Sequence, residues 1–212
     1  LDGTKQKKKL GANSILAVSI ATKKLSAKEK KKSLYKSFFI KKNFKLPYPM
    51  MNIINGGAHA NNGLRIQEFM IRPDKAKNFS DAMRICFLVI KNLQKLIRKK
   101  GLSTSVGDEG GFAPMISSNN QALDLIVSAI KKSGFVNGED VSICLDVAAN
   151  ELKVPKNVQY FLDLEKKYPI KSIEDPFPED DWHNWKDLTQ KTKTQIVGDD
   201  LFVTNKKRLE KG

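Results

Sequence analysis

Three segments in the second half of the chain share one pattern of apolar and polar positions. Each is a short apolar run that ends in a carboxylate, at residues 141–146, 170–174 and 195–199. The acids that end them are 28 and 25 residues apart, and each interval holds an amphipathic stretch of helix length, at 158–168 and 181–192. Strand, helix and strand at this period predict βα units with parallel strands.

The acids at the ends of these strands are Asp146, Glu174 and Asp199. Parallel strands present their C-terminal ends at one edge, which is where α/β barrels carry their chemistry. Three oxygen ligands suit a hard cation such as Mg²⁺. The alternative for any one acid is that it only caps the following helix. Three such acids in register favour a shared cation site.

The first part of the chain predicts a separate small domain. Residues 11–22 have the small and apolar residues of a helix, and residues 44–49 contain Pro47 and Pro49, which punctuate a linker. We therefore predict a domain over residues 1–46 and a second domain over 47–212, whose first strand covers residues 51–54.

Two further helices are predicted in the second domain. The clearer one runs over residues 80–100, with Ser80 as N-cap and Gly101 just after its end. The other begins at Asn119 or Asn120 and is ended by Gly134.

A polar and glycine-rich loop at residues 55–63 precedes a predicted strand at 64–71, and it carries His59. Gln67 and Glu68 lie among apolar residues of that strand. A buried glutamate is costly unless it is paired, protonated or bound to a ligand. The alternative is that Glu68 faces outward on an edge strand.

A second acidic pair, Asp108 and Glu109, is flanked by glycines on both sides within residues 105–114. Glycine is favoured where the backbone takes positive φ or where another group approaches closely. An acidic pair in such a loop is a candidate general acid or base. The alternative is an ordinary acidic turn.

Composition limits the remaining classes. The chain has 212 residues, 40% of them hydrophobic, and a formal net charge of +15. The charge indicates either a polyanion partner or simply solvated lysine faces, and the scatter of the lysines along helix edges favours the second. Cys86 and Cys144 lie in apolar patterns, typical of buried free thiols in a reducing compartment. The pattern shows neither a membrane-span length of apolar residues nor a signal peptide.

Taken together, these segments resemble the enolase (phosphopyruvate hydratase) family. The resemblance spans nearly the whole chain and is carried by Leu1-Asp-Gly-Thr4, Leu10-Gly-Ala-Asn13, Asn55-Gly-Gly-Ala-His-Ala60, Gln67-Glu-Phe-Met70, Val106-Gly-Asp-Glu-Gly-Gly111, Leu145-Asp146, Ser172-Ile-Glu-Asp-Pro176, Asp180-Asp-Trp182, Val197-Gly-Asp-Asp-Leu201 and Val203-Thr-Asn205.

The resemblance implies an α/β fold: an incomplete enolase-type (β/α) barrel of modified strand order, preceded by the end of a small α+β cap domain. It implies a lyase of glycolysis and gluconeogenesis that uses Mg²⁺ to dehydrate 2-phosphoglycerate reversibly to phosphoenolpyruvate. It also implies that the complete protein is cytoplasmic and a homodimer. The lack of a membrane-span pattern and the scatter of the lysines argue against a membrane or nucleic-acid partner.

The family pattern assigns the site residues. Asp146, Glu174 and Asp199 would hold the main Mg²⁺, and the last two would also contact substrate. Glu109 would be the general acid that protonates the departing hydroxyl, with Glu68 as a second catalytic residue. His59, Gln67 and Glu68 would line the substrate side. The choices of Glu109 over Asp108, Glu174 over Asp175 and Asp199 over Asp200 come from the family pattern.

The sequence also departs from that pattern. The family's mobile serine loop, its lysine base and its phosphate-binding loop have no counterpart in these 212 residues, and the stretch after Glu151 is shorter than usual. We therefore expect a partial sequence that is inactive alone. Two alternatives stay open: a non-catalytic basic binding protein for RNA or a cell surface, and another member of the wider superfamily acting on a different acid.

Overall fold

The structure, a computed structural model, describes residues 2–4, 6–38, 44–151 and 157–212. It divides into two compact units, Leu1–Pro47 and Tyr48–Gly212. The short stretch predicted after Glu151 falls on residues 152–156, outside the described residues.

The first unit is built around helix α1, Ala12–Glu29. This helix is longer than the predicted 11–22, because the lysine and leucine residues that follow are good helix formers and continue it. Gly11 precedes the helix with a φ of 78°. A single turn of 3₁₀ helix follows at Tyr35–Ser37.

The second unit is organised by a five-stranded sheet in the order β1-β2-β3-β4-β5. The first two pairings are antiparallel and the last two are parallel, so the parallel strands predicted from the βα pattern are confirmed. The strands are β1 Met51–Asn55, β2 Glu68–Arg72, β3 Ser142–Asp146, β4 Ile170–Glu174 and β5 Gln195–Val197.

Four of the five described α-helices of this unit, all but the last, contribute buried side chains to one apolar core with the sheet. α2 and α3 turn buried faces to it and are joined by a hydrogen bond from the Asn92 side chain to Ser133 Oγ, at 2.9 Å. Each fully buried aliphatic side chain contributes about 1.5–3 kcal/mol by leaving water. The helices are α2 Phe79–Lys99, α3 Asn119–Lys132, α4 Val158–Lys167, α5 Trp182–Lys191 and α6 Lys206–Lys211.

Both predicted N-caps were wrong by one or two residues. Asn78, not Ser80, caps α2, and its side chain accepts a hydrogen bond from the Asp81 N–H at 2.9 Å. Ser118, not Asn119 or Asn120, caps α3. In both cases several residues with capping side chains are adjacent, so the pattern alone does not select among them.

The strand predicted at 64–71 begins only at Glu68. Leu64 and Ile66 are buried as the apolar pattern indicates, but the backbone before Glu68 bonds to other partners. The Gln67 carbonyl accepts from the Gly56 N–H at 2.8 Å, and the Gln67 N–H donates to the Asp146 carbonyl at 3.0 Å. This stretch therefore joins a loop to the end of β3.

Within the described ranges, no helix combines the length and the apolar character needed to cross a membrane.

Candidate active site and metal centre

Three acidic residues lie side by side at one end of the three central strands of the sheet. Asp146 and Glu174 are aligned at the ends of the parallel strands β3 and β4. Glu68, the first residue of the antiparallel β2, is paired with Asp146 on the other side. The sheet register therefore brings acids from three separate segments to the same end of the sheet.

The acids of β3 and β4 form the first cluster. Asp146, Glu174 and Asp175 can each place a carboxylate oxygen within 4.8 Å of those of the other two. Burial, and after it the charges of neighbouring carboxylates, raise the pKa of both Asp146 and Glu174 to about 7. A cation would remove this repulsion, so the cluster favours binding one.

Asp199 lies just beyond β5, in the turn that follows Val197. Its charge contributes to the raised pKa of Glu174, so its carboxylate faces the same region. It is not part of the group that lies within 4.8 Å, whereas Asp175 is. Of the predicted trio, Asp146 and Glu174 therefore lie close together. Asp199 is near Glu174 but outside the group within 4.8 Å.

A second cluster holds His59, Glu68 and Glu109, whose ligand atoms also lie within 4.8 Å of one another. His59 Nδ1 is 3.9 Å from Glu109 Oε1. Burial raises the pKa of Glu68, and the Glu109 charge raises it further. Glu68 also raises the pKa of Asp146, so it links the two clusters electrostatically.

The loop that carries Glu109 is held against β1. Phe112 donates its N–H to the Ile53 carbonyl at 3.0 Å and accepts from the Asn55 N–H at 2.9 Å. A Cβ on Gly111 would lie 2.8 Å from the Ile54 nitrogen, so only glycine permits this approach. The glycines beside Glu109 therefore bring the loop close enough for Glu109 to reach His59.

Gln67 connects the loop before β2 to the first cluster. It is 9% exposed, and its Nε2 lies 3.5 Å from Asp146 Oδ2. Its Oε1 is buried without a hydrogen-bond partner among the described residues. A buried acceptor without a partner is costly, which is typical of a site that a ligand or an ordered water completes.

The donors in the first cluster fit Mg²⁺. They are carboxylate oxygens, the ligand type that hard cations prefer, and they have neither a lysine nor an arginine among the causes of their raised pKa. The buried Gln67 Oε1, which has no hydrogen-bond partner among the described residues, is a further neutral acceptor in this region.

Sequence reasoning missed two contributors to this region. Asp175 was set aside in favour of Glu174, yet it is 3% exposed and lies in the first cluster. Asn55, at the end of β1, is fully buried, and its side chain accepts from Asn52. The Glu-Asp pair was a visible signal for Asp175, but alternation along a strand says only that the two side chains differ in direction.

The mixed sheet with its flanking helices, and the acids gathered at one end of its strands, are typical of part of an α/β barrel with an acidic site. A family model of the enolase C-terminal TIM barrel domain matches residues 43–167 and 152–212. A model of the enolase N-terminal domain matches residues 1–38. The chain belongs to the enolase family. The predicted fold class, part of an enolase-type barrel preceded by part of its N-terminal domain, is confirmed.

The chain is also similar to the enolase of Pelagibacter ubique (strain HTCC1062). The two are 68% identical over 227 residues, covering 100% of this chain and 54% of that protein. The chain thus spans about half the length of the curated relative.

Proposed function

We propose that this chain supplies the metal-binding half of an enolase active site, in which 2-phosphoglycerate is reversibly dehydrated to phosphoenolpyruvate with the help of Mg²⁺. The observation that carries the proposal is the alignment of Glu68, Asp146 and Glu174 on three adjacent strands. Family membership supports the reaction.

In this proposal Asp146, Glu174 and Asp199 hold the cation. Bound there, Mg²⁺ would supply the positive charge that stabilises an enolate next to a carboxylate. The raised pKa of Asp146 and Glu174 supports the assignment, because both result from burial among other acids.

The second cluster would handle the departing hydroxyl. Glu109 would donate the proton, since its carboxylate is half exposed at the mouth and lies beside His59. Glu68 would assist it, because its raised pKa favours keeping a proton close to Glu109. His59 and Gln67 would contact the substrate, and Gln67 has an unused buried acceptor oxygen for it.

Two properties of the whole protein are proposals that follow from the family alone: a homodimer and a cytoplasmic location. The rival function is a basic binding protein for RNA or a cell surface. Its support is the net charge of +15. Salt-dependent RNA binding that survives Asp146→Asn would favour that rival.

The proposal can be tested in a chimera. The 212 residues replace the matching part of the Pelagibacter ubique enolase, and formation of phosphoenolpyruvate is followed by its ultraviolet absorbance. We expect turnover that requires Mg²⁺. Glu109→Gln should lower kcat by about 10²–10⁴-fold, the usual contribution of a general acid.

Asp108→Asn is the matched control, because Asp108 is the adjacent acid and lies outside the cluster of His59, Glu68 and Glu109. It should leave kcat within a few-fold. A folded chimera, checked by circular dichroism, whose turnover is insensitive to Glu109→Gln would contradict the proposed acid. A folded chimera with no turnover would contradict the proposed reaction.

A further inference from the structure

Asp175 connects the three parallel strands at the acidic edge. It directly follows Glu174, and only 3% of its surface is exposed. Its N–H donates to the Val197 carbonyl of β5 at 3.0 Å, and its carbonyl accepts from the Ala149 N–H, beyond β3, at 3.1 Å. The Asp175 backbone is thus fixed from both neighbouring strands.

The Asp175 carboxylate is directed at the turn that carries Asp199. Its Oδ2 accepts hydrogen bonds from the N–H groups of Asp199, at 3.2 Å, and Asp200, at 2.9 Å. Its Oδ1 accepts from the Leu201 N–H at 3.3 Å. One side chain therefore satisfies three successive backbone donors.

That turn needs an anchor from outside. Val203 and Thr204 have φ values of 39° and 53°, which β-branched residues rarely adopt. Each such residue costs on the order of 1–3 kcal/mol, which the surrounding structure has to offset. Inside the turn, the Asp199 carbonyl accepts from Phe202 and Val203, at 3.1 and 2.8 Å. The three bonds from residues 199–201 to the Asp175 carboxylate tie the start of the turn to the residue that directly follows β4.

We infer that Asp175 is a positioning residue: its carboxylate holds the turn that directs Asp199 toward Asp146 and Glu174, and it is not itself a cation ligand. The inference rests on the proposed function, since it takes Asp199 as a ligand. Asp175 is near enough to Asp146 and Glu174 to compete for that role. However, both of its oxygens already accept backbone hydrogen bonds that cation binding would weaken.

The test measures two quantities in the 212-residue chain. Mn²⁺ affinity is measured by electron paramagnetic resonance, and amide hydrogen exchange is measured at residues 199–201 without metal. The variants are Asp175→Asn and Asp199→Asn, with Asp200→Asn as the neighbouring control.

Asp175→Asn should accelerate exchange at residues 199–201 and weaken Mn²⁺ binding about 10-fold or more, as is typical when a group that orients a ligand is lost. Asp199→Asn should weaken Mn²⁺ binding at least as much while leaving amide exchange unchanged. Asp200→Asn should change neither quantity.

Two results from the variants overturn the inference. One is Mn²⁺ affinity in Asp175→Asn that matches the unmodified chain. The other is loss of binding in Asp175→Asn with unchanged amide exchange, together with normal binding in Asp199→Asn, which would make Asp175 the ligand.

A measurement on the unmodified chain covers the case in which Asp175→Asn does not fold. Amides 199–201 should already be protected in the metal-free chain, and exchange at the rate of an unstructured peptide would overturn the inference. Failure of the unmodified chain to bind Mn²⁺ would instead contradict the proposed metal site. In that case the amide protection still reports whether Asp175 holds the turn.

Discussion

Glu68 and Asp146 are paired in antiparallel register between β2 and β3, so the first residue of one strand lies opposite the last residue of the other. Each carboxylate is partly buried, and burial is the main cause of the raised pKa of both. Two neighbouring acids that both border the low-dielectric interior destabilise the fold when both are ionised.

The metal-free chain should therefore lose stability as pH rises between about 4 and 7. The pKa of Asp146 is raised from 3.8 to about 7, so the folded state holds a proton that the unfolded state has already released. Stability falls wherever the folded state binds more protons. The measurement is the free energy of unfolding in denaturant, at both ends of this range, with a chelator present.

Asp146→Asn is the control for this pH effect, because it keeps the shape and removes the titration. The variant should lose less stability over the same range, and identical pH dependence of the two proteins would contradict the prediction. Glu174 is expected to behave in the same way, since its pKa is raised from 4.5 to about 7.

Saturating Mg²⁺ should stabilise the chain at neutral pH. A ligand that binds only the folded state adds about 2.7 kcal/mol at a concentration of 100 times Kd. Glu174→Gln should abolish the rise in Tm with Mg²⁺, although the variant itself should be at least as stable without metal because a repulsive charge is gone. A Mg²⁺-dependent Tm in Glu174→Gln equal to that of the unmodified chain would argue against this site.

Gly111→Ala should destabilise the protein more than Gly110→Ala. The added Cβ would lie 2.8 Å from the Ile54 nitrogen, where backbone has little room to move. We expect about 3 kcal/mol, at the upper end of overpacking costs. Gly110 has a φ of 87° and nothing within 4 Å of its Cβ position, so alanine there costs only about 1–2 kcal/mol of backbone strain. Denaturant midpoints that rank the two variants the other way would be incompatible with the docking of this loop on β1.

Both thiols should resist labelling while the protein is folded. Burial raises the pKa of Cys86 to about 11 and that of Cys144 to about 12, so almost no thiolate forms near neutral pH. The thiolate is the reactive form. A disulfide reagent should modify two thiols quickly in denaturant and slowly without it, and rapid labelling of the native chain would show that one of them is accessible.

The strand ends that carry the acids were the most predictable part of the site. Apolar runs that end in a carboxylate predict strands β3, β4 and β5. The helices between them predict that these strands pair in parallel. The start of β2 was less predictable, because Leu64 and Ile66 are buried although their backbone is not in the sheet. Apolar alternation reports burial, not the partner of each backbone group.

Long-range contacts within the site could not be read from the pattern. The meeting of His59 and Glu109 depends on Phe112 bonding to β1, which is far from it in sequence. Likewise, alternation along the chain predicts that the Glu174 and Asp175 side chains point in different directions. Only the position of the turn after β5 shows what the Asp175 carboxylate contacts. The roles of the site residues stay predictions, which measurements of metal binding and of substrate turnover will test.

Strand β2 runs opposite to both of its neighbours, and this direction determines where its connection to β1 lies. Two neighbouring parallel strands need a crossover connection, which runs outside the sheet and is usually an α-helix. The antiparallel strands β1 and β2 are instead joined directly by residues 56–67. This connection stays at the end of the sheet where the acids lie, and it carries His59. Under the proposed function, selectivity for the substrate would therefore change through this one connection, without disturbing the packing of the outer helices.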